Sequence, residues 1–264
     1  MTRLVRAEIL KLRTVWSTWV LLGITFVVIG AIAATVGFAP HRREGVGVLF
    51  PARGTVAWFD TVFSIMAIAL DFALVLGVLM VTSEHRHKTI TPTFLVEPRR
   101  GRVTAAKLAV SGAGGLVIAV VAGVASLVFG FVVVAAGFGH SGEMLTEFRH
   151  VWPGVAAAAV LYAVYGIGLG AVLKNQAVSI VVGLGVSAIV EPILNGALPA
   201  VGRWLPSEAA QALESVTARP EVRGGLGANL VHLVPWWAGA MVLLGYGIVL
   251  ATAGSVTTLR GDVT

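Results

Sequence analysis

The chain has 264 residues, of which 57% are hydrophobic and only 12% charged, with a mean hydropathy of +0.89. That apolar share excludes an ordinary soluble domain and marks an integral membrane protein. Cysteine is absent, which excludes disulfides, thiolate zinc sites and a Cys nucleophile, and the net charge of +6 lies between apolar runs, where lipid headgroups and topology explain it better than nucleic acid does.

The first element in chain order is a predicted amphipathic helix over residues 2–14. Val5, Ile9, Leu12 and Trp16 recur at helical spacing, while Arg3, Arg6 and Arg13 fall largely on another face, so this segment is expected to rest in the inner membrane interface. A bilayer core of about 30 Å needs roughly 20 apolar residues in helical form. Candidate spans are Trp16–Phe38, Val62–Val81, Leu108–Phe138, Trp152–Leu173, Ala177–Leu198 and Leu233–Thr257, six in all. The fold class is therefore all-α, a single membrane domain over 1–264. The first run is longer than a signal-peptide core and lacks a cleavage site, so it is expected to stay in the protein. Placing the amino terminus inside puts 12 of the 19 Lys and Arg residues on the inner side and 7 on the outer, which predicts two cytoplasmic termini.

Between the second and third spans lies the most polar tract, residues 82–107, predicted to be cytoplasmic. Ser83 and Glu84 suit the start of a short helix, and Thr91 followed by Pro92 suits a second start. Pro98 and Gly101 break it before the third span. Phe94 and Leu95 are apolar residues on this charged loop. They lie either on the membrane surface or against a protein partner.

Two acids interrupt the spans. Asp71 lies near the middle of the second, where a charge is expected to cost about 2.5 to 3.5 kcal/mol on insertion scales. It is either protonated or paired inside the bundle, or it lines a substrate or ion pathway. Glu191, in the fifth span, precedes Pro192 and is followed by Asn195. Proline frees a backbone carbonyl and bends a helix, so the pair Glu191 and Asn195 marks either a break facing a cavity or a kink near the surface. The outer connection 200–232 contains "LPSEAAQALESV", in which Pro206 and Ser207 predict a short external helix.

Other chemistry has little support. No Gly-Lys pair occurs, so there is no P-loop and no ATP site of that kind. "GLGVSA" at Gly183 to Ala188 lies inside an apolar span and reads as close helix packing rather than a dinucleotide fingerprint. The two His of "EHRH" fall about 200° apart around a helix, too far to share a metal, and no nucleophile elbow is present. Gly166 with Gly170, Gly154 with Ala158, and Gly247 with Ala251 are small residues four apart, which predicts backbones in close approach.

The segments "RLVRAEILKLRTVWSTW", "TSEHRHKTITPTFLVEPRRGRVTAAKL", "VEPIL" and "GRWLPSEAAQAL" together resemble the ABC-2-type permeases, the transmembrane subunits of type-2 ABC exporters, in a compact actinobacterial-like form. The resemblance implies a bacterial plasma-membrane exporter subunit with no cofactor of its own. ATP and Mg would sit on a separate P-loop ATPase, and a second copy or a related permease would complete a dimer within membrane lipid, without nucleic acid. It also implies an interfacial helix at 2–14, a coupling helix within 84–98 and an external helix within 200–232. The residues expected to couple to the ATPase are Glu84, Arg86, Thr91, Pro92, Phe94, Leu95, Arg99 and Arg100. Asp71, Glu191 and Asn195 are candidates for the translocation pathway along the second and fifth spans. Many relatives carry a large domain between the first two spans, and residues 39–61 are too few for one. The competing expectation is an ion-coupled secondary transporter using Asp71 or Glu191. A membrane enzyme or anchor ranks behind both, since no catalytic constellation is evident.

Overall fold

The computed structural model describes residues 2–38, 53–86, 100–214 and 233–261. These residues are helical almost throughout, with no strand among them. The helices in chain order are α1 (Thr2–Thr14), α2 (Trp16–Phe38), α3 (Val56–Ser64), α4 (Ala69–Arg86), α5 (Arg100–Ala135), α6 (Ser141–Leu173), α7 (Gln176–Gly185), α8 (Glu191–Ala197), α9 (Pro199–Gly202), α10 (Pro206–Glu214) and α11 (Trp236–Gly261). Among the described residues six helical stretches are long and apolar enough to cross a membrane: α2, α3 continued by α4, α5, α6, α7 continued by α8, and α11.

The second span is longer than its apolar run predicted. Thr55 caps α3, its hydroxyl accepting from the Trp58 N–H at 3.3 Å, and a 3-10 turn at Ile65–Ile68 links α3 to α4. Ser83 and Glu84 do not start a new helix, because α4 runs unbroken through them to Arg86. The fourth span also begins earlier, at Ser141, because the polar residues that hide it from a hydropathy reading still pack helically on the bundle.

α6 is the central post. It packs on α4, α5 and α11, and also touches α3 and α10, while α2 leans on α5 from outside. The contacts are close because glycines face backbones. A Cβ on Gly77 of α4 would lie 2.1 Å from the Ala163 carbonyl oxygen, and one on Gly166 of α6 would lie 2.2 Å from the Leu74 carbonyl oxygen. The Gly166 and Gly170 pair therefore seats α6 on α4, as its spacing predicts. Gly183 meets Leu74 and Leu169 side chains, which places "GLGVSA" in helix packing, although Gly185 faces open space.

Two polar groups in the apolar interior find carbonyls on neighbouring helices. The Ser111 hydroxyl donates to the Ala163 carbonyl at 2.8 Å, and the Trp152 indole donates to the Ala119 carbonyl at 3.1 Å. At one end of the bundle Trp58, Phe59, Phe63, Phe148 and Trp152 form a continuous series of edge and stacked ring contacts that joins α3 to α6.

α1 forms over the residues expected, and one side of it packs on the bundle. Glu8 is buried and Val5 and Leu12 are half-buried, whereas Ile9 and Trp16 are exposed. Glu8 faces inward because its partner Lys107 lies there. Lys174, with φ 56°, turns the chain tightly from α6 into α7, where the Asn175 side chain caps the Val178 N–H at 3.2 Å.

Candidate functional site

A cavity of about 440 Å³ opens at the end of the bundle opposite α1, between the second span, the fifth span and α10. The second span supplies Asp71, Phe72 and Val75, and α6 supplies Tyr162. The fifth span contributes Leu184, Ser187 and Ala188, and α10 closes the mouth with Ser207, Gln211 and Glu214. Its walls are mainly apolar with a few polar groups, and its size falls in the range of about 300 to 1,000 Å³ usual for small-molecule pockets.

Local backbone irregularities shape both walls. On one side the 3-10 turn at Ile65–Ile68 interrupts the regular ladder just before Asp71. On the other, Val186–Val190 forms a π-helical turn, in which the Glu191 N–H bonds to the Val186 carbonyl. Pro192 explains that turn. It has no N–H for the Ala188 carbonyl and its ring pushes that carbonyl aside, so the ladder widens ahead of the proline.

Asp71 is half-buried and faces this cavity, and no hydrogen bond or ion pair reaches its carboxylate among the described residues. Glu191 is 1% exposed and has a different role. Its Oε2 accepts from the Ser207 N–H at 2.7 Å and from the Ser207 hydroxyl, so it caps the start of α10 from another helix. Its Oε1 has no hydrogen-bond partner among the described residues. Asn195 donates to Oε1 of Glu208 at 2.8 Å and ties α8 to α10. Burial and the neighbouring Glu191 charge hold the Glu208 carboxyl above the ordinary carboxylate range, against the opposing pull of the Asn195 hydrogen bond. The Tyr162 hydroxyl lies in the field of both Glu191 and Asp71, so the two predicted acids converge on one tyrosine.

A second polar cluster occupies the α1 end. Lys107 Nζ lies 2.6 Å from Glu84 Oε1 and 3.2 Å from both carboxylate oxygens of Glu8. Lys11 Nζ lies 2.7 Å from Glu84 Oε1 and 2.9 Å from Glu8 Oε1. Two acids and two bases thus tie α1, the last turn of α4 and the start of α5 into one neutral knot. Glu84, Glu8 and Lys107 are buried, and Lys11 reaches water. Its two carboxylate partners raise the Lys11 pKa above its usual value, although burial acts the other way.

Of the residues expected to couple to a partner, Glu84 is turned into this knot and Arg86 is exposed at the end of α4. Arg100 opens α5. Thr91, Pro92, Phe94, Leu95 and Arg99 lie outside the described residues. The sequence reading missed Glu8, Lys11, Lys107, Ser207, Glu208 and Tyr162. A signal existed for two of them: Glu8 is the one acid in a basic helix, and Lys107 is a single cation at the edge of an apolar run. Among the described residues no three His, Cys, Asp or Glu side chains are grouped to hold a metal ion. No family model matches the chain, and no curated protein matches it.

Proposed function

We propose that the chain is the membrane-spanning subunit of an ABC exporter, working as a pair and driven by a separate P-loop ATPase that docks on the segment between the second and third spans. The supporting observation is the four-residue ionic knot. Glu84 and Lys107 stand at the two ends of that segment, 2.6 Å apart, and both are bound to α1. A displacement of the segment would therefore reach α1, α4 and α5 together rather than dissipate in a loose loop. The physical requirement is a bundle with two packings whose balance nucleotide shifts. In this reading the α1 end is cytoplasmic, both termini with it, in keeping with the basic bias of that side.

The experiment is purification in mild detergent from a native membrane, with ATP hydrolysis and co-purifying chains compared between wild type and Phe94→Ala/Leu95→Ala. A stoichiometric P-loop ATPase held by the wild type and lost or uncoupled in the variant supports the reading. A folded wild type without an ATPase sinks it.

One observation favours a second reading. Asp71 faces a cavity without a cationic partner among the described residues, as the coupling acid of an ion-driven transporter would. That reading requires transport that survives ATP depletion and stops when the ion gradient is collapsed.

A further inference from the structure

We propose that the cavity between the second span, the fifth span and α10 binds an organic cation with an apolar body, with Asp71 as its counter-charge. That the bound cation is cargo rests on the exporter reading. That the cavity binds it does not.

Among the described residues the lining holds two carboxylates, Asp71 and Glu214, and no Lys, Arg or His. Glu191 stands directly behind the same wall. The lining residue Ser207 grips its Oε2, the lining residue Tyr162 lies in its field, and its buried Oε1 has no partner among the described residues. Glu208 adds a fourth carboxyl next to Glu191. An apolar cavity faced by Asp71, whose carboxylate has no hydrogen-bond or ion-pair partner among the described residues, favours a positive occupant and disfavours an anion, because charges interact strongly where water is scarce.

The walls narrow the class further. Ile68, Val75 and Leu184 supply apolar surface, and Phe72 and Tyr162 supply rings. Aromatic faces attract a cation centred within about 6 Å, most strongly a poorly hydrated one such as an alkylated ammonium or a phosphonium. A bare metal ion would instead require several oxygen ligands in a shell, and no group of three His, Cys, Asp or Glu side chains that could begin one occurs among the described residues.

The test uses the full chain alone in nanodiscs of zwitterionic lipid, with no nucleotide, and tritiated tetraphenylphosphonium as the probe. Saturable binding is expected, displaced by unlabelled tetraphenylphosphonium but not by tetraphenylborate, which has the same shape and the opposite charge. Asp71→Asn should weaken binding about 30-fold or more, the lower end of what losing one member of a buried charge pair costs. Asp71→Glu should retain it. If Asp71→Asn fails to fold, Ala188→Phe decides the matter, since a ring placed in the cavity should abolish binding. The proposal is overturned by a folded wild type without saturable binding, by equal displacement with tetraphenylborate, or by folded Asp71→Asn or Ala188→Phe binding as the wild type does. Such a failure leaves ATPase docking untouched, and failure to recover an ATPase leaves the binding result untouched.

Discussion

The Lys107 ammonium lies 2.6 Å from Oε1 of Glu84, so the helix that ends the second span and the helix that begins the third are ion-paired across the whole tract between them. Both side chains are buried, and Glu8 of α1 accepts from the same ammonium. Buried pairs of this kind add little net stability over apolar residues of the same shape, yet breaking one is costly because a charge is left without its partner.

Lys107→Ala is therefore expected to destabilise the chain by about 3 to 5 kcal/mol, since Glu8 and Glu84 would then share only the half-exposed Lys11. Lys107→Met combined with Glu84→Gln should cost much less. Unfolding in mixed detergent, followed by far-ultraviolet circular dichroism, measures both. Equal losses in the single and double variants would refute a charge-based knot.

The α4 and α6 contact predicts a steep response to one carbon atom. Gly77→Ala and Gly166→Ala should each cost about 1 to 3 kcal/mol or more, because the new methyl would meet a backbone carbonyl rather than a movable side chain. Gly185→Ala is the matched control in the fifth span, with nothing within 4 Å of the added carbon. It should be neutral or slightly stabilising, as alanine favours helix over glycine. Thermal aggregation onsets of the three variants, compared in one detergent, provide the check.

Glu208 gives a pH dependence of definite sign. Its carboxyl is held above the ordinary range in the folded chain, so the fold binds this proton more tightly than the unfolded chain does. The stability it contributes is complete below the ordinary glutamate value of 4.5 and fades as pH rises through the raised value. Glu208→Gln, which keeps an acceptor for Asn195, should flatten that decline. Melting temperatures recorded across the acidic to neutral range would show whether the slope depends on this residue.

Lys11 predicts the opposite end of the scale. Its pKa lies above the usual 10.5, so its contribution to holding α1 is present below that value and is lost only as pH climbs through the raised one. Protease accessibility of α1 should stay constant from neutral pH to about the ordinary lysine value and increase beyond it. In Lys11→Met the alkaline step should disappear. The accompanying change in stability should be small, because Lys11 is part-exposed and solvent screens it.

Much of the architecture was legible because the membrane imposes it. Apolar runs must become helices where no water can satisfy a backbone, so Trp16–Phe38 was read with the bounds it has, and Asp71 was read correctly as lying deep in the second span. The Gly166 and Gly170 spacing likewise pointed to a backbone contact that exists. Hydropathy gave no notice of the polar beginning of α6 or of the stretch of α3 around Asp60, where helix continues beyond the apolar run.

The site was legible only in part, and Glu84 shows why. As a sequence it sits in a charged tract and reads as surface. In the fold it points inward, because Lys107, 23 positions later, and Lys11, 73 positions earlier, converge on it. Glu191 is similar: Pro192 announced an irregular helix, but its bond to Ser207 depends on α10 folding back over the fifth span.

By itself the sequence determined six apolar spans, their approximate bounds, the basic character of one side and the presence of two acids where acids are costly, because each follows from local composition and the backbone's need for hydrogen bonds. Only the tertiary structure decided which face α1 buries, that Glu8, Lys11, Glu84 and Lys107 meet, and that Asp71 opens into a cavity while Glu191 is locked to Ser207. Those outcomes depend on how helices distant in sequence rotate and cross. That is set by side-chain packing and charge pairing across the bundle, and no local window along the chain contains all of the partners.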